Sequence, residues 1–279
     1  MHAELVALVL VSAFLHAIWG AVVKASRDRL MATTVGVLVP ALICLVLARQ
    51  VTPPAGAAWP WLIASVALHM AYYLFLLIAY RFGDLGQVYP IARGGAPLVV
   101  AVIAVLWLDE AMPPTRVGGM AMISLGLFAL AFDRRLFTRE GAIGVGCAAI
   151  TATMIGASTA IDFVGLHRAN STMGYIVWVN LLEALLLVPA TLLIRGGALK
   201  RLPWRELPRQ ALAGIVVAAS YAMLLWALSL GAVAPVAALR ETSVVFATLI
   251  GTVFLGEKMG RRRAIAAGVV AAGVVVLNL

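Results

Sequence analysis

The chain has 279 residues, of which 63% are hydrophobic and only 12% charged. Soluble globular proteins carry about 25% charged and 45–50% apolar residues. The formal charge of +9, the pI near 10.3 and the mean hydropathy of +1.04 arise from basic residues set between long apolar runs, which excludes a water-soluble enzyme, a disordered chain and a nucleic-acid binder and leaves an integral membrane protein.

A helix that crosses the hydrocarbon core needs roughly 20 apolar residues. Ten stretches meet that need in chain order: about 5–23, 33–48, 59–79, 87–108, 117–132, 142–161, 173–194, 210–230, 234–255 and 264–279. None alternates with period two, so barrel strands are excluded. The expected fold is an all-α integral membrane protein of ten transmembrane helices. The first span has no basic region ahead of it, and Lys24, Arg27 and Arg29 follow it. It therefore reads as a retained helix and not as a signal peptide. The connections are short and leave no room for a soluble catalytic domain.

Sixteen Lys and Arg residues fall in the connections after spans 1, 3, 5, 7 and 9, whereas the other side holds Arg49, Arg116 and Arg168. Cytoplasmic loops carry the basic excess, so both termini are expected on the periplasmic or exterior side of the inner (plasma) membrane. Cys44 and Cys147 lie in apolar spans as small hydrophobes. Four scattered histidines show no ligand spacing, and neither a metal nor a cofactor is expected.

Shifting the sequence by 147 residues lays spans 4–5 on spans 9–10 without a gap. Arg93 then falls on Arg240, Glu110 on Glu257, Met112 on Met259, Arg116 on Arg263 and Gly126 on Gly273. Coincident charged columns in so sparsely charged a chain point to duplicated halves, 1–137 and 138–279. Each half holds five spans, an odd number, so the second is expected to lie inverted in the membrane. Inverted repeats are characteristic of alternating-access transporters with a site at the repeat interface.

The segments LWLDEAMPPTRVGGMAMISLG (106–126) and VFLGEKMGRRRAIAAGVVAAG (253–273), with the Trp-Gly opening HAIWGAVVK (16–24), resemble the EamA family of the drug/metabolite transporter superfamily. That resemblance implies two five-helix repeats and transport of amino acids, metabolites or other small solutes. The segment YRFGDLGQVYPIARGGAPL (80–98) departs from the usual pattern, which is uncharged where Arg93 stands, and resembles a subgroup associated with phosphonate use.

Ionisable groups inside a membrane cost roughly 2.5–3.5 kcal/mol each at a helix centre, so each is a functional candidate. Arg93 and Arg240 are expected to bind an anionic group, since a guanidinium fork suits carboxylate or phosphonate. The alternatives are snorkelling to the headgroups or pairing with Asp84, Glu183 or Glu241. Glu183, with Asn180 one turn earlier, is either a proton-coupling carboxyl or one half of a permanent pair with Arg240 or Arg93. Glu241 either lines the cavity or pairs with Arg168 or Lys24, and Glu110 and Glu257 are expected to be structural parts of turns. Tyr89 and Trp178 are candidates for the cavity wall, whereas Tyr72, Tyr73, Tyr221 and Trp226 suit the headgroup belt. His16 and His69 are expected to hydrogen-bond across helices. Pro90, Pro97 and Pro235 interrupt spans 4 and 9, as gating kinks or as static bends.

Together these features predict a secondary active transporter of a small anionic or zwitterionic metabolite, such as an amino acid or phosphonate. The site would be lined by helices 1, 3, 4, 6, 8 and 9. No nucleotide-binding motif is present, so an ion gradient, with the proton as candidate, or a substrate gradient supplies the energy. The partners are a small-molecule substrate and the bilayer, and one chain suffices for a pathway. The alternative in the same class is a proton-coupled exporter of cationic drugs, against which two intramembrane arginines argue. An intramembrane enzyme acting on lipid-linked substrates needs clustered acids or a nucleophile with a base, which twelve scattered acids do not provide. A pure scaffold would be indifferent to neutralising Arg93, Arg240 and Glu183.

Overall fold

A computed structural model describes residues 1–82, 85–131, 138–195, 205–254 and 260–279. Among them every regular element is helical: α1 (Ala3–Ala25), α2 (Arg29–Leu47), a short 3-10 turn (Gly56–Ala58), α3 (Trp59–Phe82), α4 (Leu85–Trp107), α5 (Pro114–Ala131), α6 (Arg139–Arg168), α7 (Thr172–Arg195), α8 (Leu207–Leu230), α9 (Val233–Arg240), α10 (Ser243–Phe254) and α11 (Arg261–Leu277). With α9 and α10 counted as one stretch, nine of these are long and apolar enough to cross a membrane; α11, at 17 residues, is shorter than the usual span. Leu45, Leu106, Leu193 and Phe254 turn outward and are largely exposed, as lipid-facing side chains must be.

The helices begin where the sequence supplies acceptors. The Asp28 carboxylate accepts from the backbone N–H groups of Leu30 and Met31 at 3.1 and 3.2 Å and starts α2. Thr138 Oγ1 accepts from Gly141 N–H at 3.0 Å and starts α6. These side chains satisfy N–H groups that a helix start leaves without partners. Helix α6 runs 30 residues, seven beyond the expected end at position 161.

The ninth span departs from expectation. It is two helices joined at Glu241 and Thr242, and the interruption is not at Pro235. Pro235 sits in the first turn of α9, where its missing N–H costs no helical bond. At the joint the backbone tightens: Glu241 N–H donates to Ala238 O at 3.1 Å, Thr242 N–H to Leu239 O at 3.2 Å and Val244 N–H to Glu241 O at 3.0 Å. Thr242 Oγ1 also donates to Leu239 O at 2.8 Å, competing with the regular ladder. Helix α4, by contrast, continues through both Pro90 and Pro97.

The helix pairs recur when the halves are exchanged. Helix α3 packs on α6 as α8 packs on α1, and α4 packs on α6 as α9 and α10 pack on α1. Likewise α2 packs on α8 as α7 packs on α3, while α2–α7, α5–α11 and α4–α9 map onto themselves.

One end of the bundle is tightly filled. There Val9, Leu62, Ile123, Leu166, Tyr175 and Leu228 belong to a single buried apolar cluster. Ala55 N–H donates to Ala169 O at 3.0 Å, joining the α2–α3 and α6–α7 connections. Leu5 packs against Gly231. The chain ends and the sparsely charged connections lie on this side.

Candidate functional site

A cavity of about 1400 Å³ runs from the middle of the bundle to the opposite, basic end, where Lys24, Arg29, Arg262 and Arg263 line it. Its inner wall carries Arg93, Glu241, Arg240, His16, His69, Glu183 and Asp162, side chains that a bilayer does not tolerate without partners.

Arg93 projects from α4 because the residues after it press that helix against its neighbours. A Cβ on Gly94 would stand 3.0 Å from Leu127 of α5, and one on Gly95 would stand 2.8 Å from Ala152 of α6. Arg93 is left facing the cavity, where its Nε lies 3.1 Å from Glu241 Oε2. Its Nη2 donates to Ser243 Oγ at 3.3 Å, and the guanidinium centre is 5.9 Å from the Tyr89 ring. The joint between α9 and α10 therefore supplies both the counter-charge and a hydroxyl for the arginine of α4.

Arg240 closes a second knot. Its Nη1 donates to Ser12 O at 2.9 Å and to the Ser12 and Ser220 hydroxyls at 2.8 Å each. The serines also bond reciprocally: Ser12 Oγ donates to Ser220 O at 2.6 Å and Ser220 Oγ to Ser12 O at 2.7 Å. Arg240 Nη2 donates to His16 Nδ1 at 3.1 Å. A guanidinium has donors only, so His16 accepts through Nδ1 and carries its proton on Nε2. One side chain ties α1, α8 and α9 together.

A second polar group lies on other helices. Glu183 of α7 bonds His69 of α3 through Oε1 and Nδ1. Asp162 of α6 is 2% exposed and accepts from Tyr175 and Tyr221 hydroxyls at 2.9 and 2.8 Å. The His69 ring packs against Tyr72 and Tyr221 with centroids 5.7 and 5.8 Å away. Tyr72 and Tyr73 of α3 pack together with ring centroids 4.3 Å apart beside His69.

Arg93, Arg240, Tyr89, Asn180 and Glu183 all line the cavity, as do Tyr72, Tyr73 and Tyr221, which sequence reasoning assigned to the headgroup belt. Trp178 does not join them. It is two residues from Asn180, about 200° round the helix, and packs edge-to-face on Trp59 at 5.1 Å, against the apolar cluster. Glu183 is paired with a histidine and not with an arginine, and the partner of Arg93 is Glu241. Arg168 stacks on Trp61 at 4.5 Å instead of meeting Glu241. Asp84 and Glu257 lie outside the described residues. Asp162 was missed because it stands one position past the expected end of its span; an acid inside AIDFVGL was the signal for a longer buried helix.

Glu110 has a structural place at the closed end. It follows Asp109, whose φ of 52° turns the chain sharply, and its Oε2 accepts from Val233 and Ala234 N–H groups at 3.0 and 3.4 Å. A carboxylate of the first half thereby caps the start of α9 in the second. Burial pushes this carboxyl above its ordinary range, opposed by the two N–H bonds and by Arg116.

A helical bundle long and apolar enough to cross a bilayer, with a cavity that carries ionisable side chains and is closed at one end and open at the other, has the form of a membrane transporter. The profile of the EamA-like transporter family matches residues 4–132 and again 142–279, one match in each half, and the chain belongs to that family. It is thus a membrane transporter of the drug/metabolite transporter superfamily. A crystal structure of a protein given no further description superposes with a TM-score of 0.75 at 18% identity, over 98% of this chain and 94% of the other. That likeness is one of fold. No curated protein matches the chain.

Proposed function

We propose that this protein is a secondary active transporter of a small zwitterionic or anionic metabolite, such as an amino acid or phosphonate, and that it works by alternating access. The observation that carries this reading is the division of charge on the cavity wall. Arg93 and Arg240 outnumber Glu241 around the α9–α10 joint, while Glu183 and Asp162 stand with His69 among α3, α6, α7 and α8. A carboxylate or phosphonate suits the first group and an ammonium the second. Opposed half-helices at a mid-membrane site are a recurrent transporter device, and the α9–α10 joint fits it.

The recurrence of helix pairs under exchange of the halves supports repeats 1–137 and 138–279 related by inversion. Because α3 and α4 pack on α6 while α1 and α2 pack on α7, α8, α9 and α10, the rocking bodies are interleaved groups of helices drawn from both halves. The excess of Lys and Arg at the open end supports an inner-membrane orientation with the cavity facing the cytoplasm and both termini outside. No enzymatic activity is proposed.

Thermal unfolding of the detergent-purified chain against amino acids, phosphonates, carboxylates and quaternary amines tests the substrate class. A ligand that binds only the folded state at 100 times its Kd adds about 2.7 kcal/mol of stability. Stabilisation by zwitterions or anions that is lost in Arg93→Ala is expected. Stabilisation by quaternary amines alone, lost in Glu183→Gln, would replace this reading with a cationic-drug exporter.

A further inference from the structure

We propose that His69, Glu183 and Asp162 form a proton-binding site through which transport is coupled to the proton gradient, and that the His69–Glu183 bond is the point where that proton acts on two packed groups of helices. This inference rests on the transporter reading above. Helix α3 packs chiefly on α6 and α7 chiefly on α2, so the bond between His69 and Glu183 joins two differently packed groups of helices and crosses the interface that must change when they rock. Asp162 lies within electrostatic range of His69, and Tyr221 links them by donating to Asp162 Oδ2 and packing on the His69 ring.

Three observations point to a proton. Ser65 lies one turn before His69 on α3, is fully buried, and turns its hydroxyl towards Asp162 without reaching hydrogen-bond geometry. A third hydroxyl, after those of Tyr175 and Tyr221, is therefore held beside Asp162. The carboxylates also face proton-bearing groups, His69 for Glu183 and two tyrosine hydroxyls for Asp162, an arrangement that surrounds acids with donors. A hard metal cation would require several converging oxygens, and no group of three or more metal-binding side chains is found among the described residues.

The third observation is the counterpart interface. The 147-residue shift places Glu183 on Gly36 of α2. There Gly36 meets Gly214 of α8 so closely that a Cβ on Gly214 would stand 2.8 Å from Gly36 Cα. The α2–α8 contact is thus closed by bare backbone, whereas the α3–α7 contact that replaces it in the other half is made by a protonatable pair. The duplicated frame is asymmetric at the one place where a proton changes what the contact weighs.

The proton balance is simple. With one proton the pair is an imidazolium beside a carboxylate, or a neutral imidazole beside a carboxylic acid, and is neutral overall. Release of that proton to the cavity leaves neutral His69 and the Glu183 carboxylate, a net charge of −1 next to Asp162. Tyr72 and Tyr73 of α3 carry no charge to offset it, and the cation facing it, Arg93 of α4, is already paired with Glu241. Arg240 is held by Ser12, Ser220 and His16. An incoming ammonium group restores the balance, so proton release and binding of a zwitterion's amino end exchange at one site.

Infrared difference spectroscopy of the full chain in lipid vesicles, cycled between acidic and alkaline buffer with no substrate present, tests the site. A reversible carboxyl and imidazole signal is expected in the wild type, with one component missing in Glu183→Gln and in His69→Gln, and unchanged when sodium replaces potassium. Glu183→Asp, which keeps the acid, should retain the signal with a displaced midpoint and so guards against loss through misfolding. A signal identical in wild type and both variants would overturn the proposal, as would one abolished by sodium, the mark of a metal-cation site. Because no substrate is added, failure here leaves the substrate reading standing, and failure of the ligand panel leaves this result standing.

Discussion

Arg93 shows how a charge is made tolerable inside this molecule. Its guanidinium is 12% exposed and the Glu241 carboxylate 4%, so each lies largely out of water and depends on the other. Removing one member of a buried pair leaves an uncompensated charge and costs about 3–5 kcal/mol, whereas replacing both with apolar residues is often neutral. Glu241→Gln is therefore expected to lower thermal stability by that order, and Arg93→Met with Glu241→Met to recover most of it, measured by unfolding in detergent. Equal losses in the single and double variants would show that the pair is not the stabilising unit. Arg93 and Arg240 were legible in the sequence because theirs is one of three charged columns that coincide under one shift. Their partners were not: whether Glu241 meets Arg93 or Arg168 depends on which helices become neighbours, and that information is not local. Trp178 misled for a geometric reason, since nearness in sequence to Asn180 places it on the far side of the same helix.

Helices were the most legible level. Apolar runs of bilayer length placed the spans to within a few residues at most ends, since only a helix satisfies the backbone in hydrocarbon. Hydropathy is blind to the α9–α10 joint, because ETSVV is apolar enough to continue the span and the break falls where the Thr242 hydroxyl competes for the Leu239 carbonyl. It is equally blind to the end of α6, where Asp162 lowers the average without ending the helix. Glu110 belongs to this scale too, as the cap that fastens the α4–α5 turn to the start of α9. Losing a cap costs about 0.5–2 kcal/mol, enough to loosen the closed end without unfolding the chain. In a background lacking Cys44 and Cys147, Glu110→Ala should raise the labelling of Ala234→Cys by a membrane-impermeant thiol reagent several-fold, with Glu110→Gln intermediate. Labelling unchanged by either substitution would remove Glu110 from the closed end's fastening.

The molecule as a whole joins a duplicated frame to an unsymmetrical set of charges. Exchange of the halves maps most helix pairs onto one another, which suits a protein whose two end states have similar stability. The polar residues do not follow that exchange. Arg93 and Arg240 are counterparts, yet one pairs with a carboxylate while the other is bound by two serines and a histidine, and Glu183 has a glycine as its counterpart. On the proposed reading, the frame provides the movement and the departures from symmetry define the cargo. The most direct test of that claim is solute counterflow in vesicles containing the purified chain, using the zwitterionic or anionic compound that stabilises it most. The account predicts transient accumulation of labelled solute against its gradient in the wild type and none in Arg93→Ala. Tight binding without accumulation, or accumulation unaffected by Arg93→Ala, would contradict it.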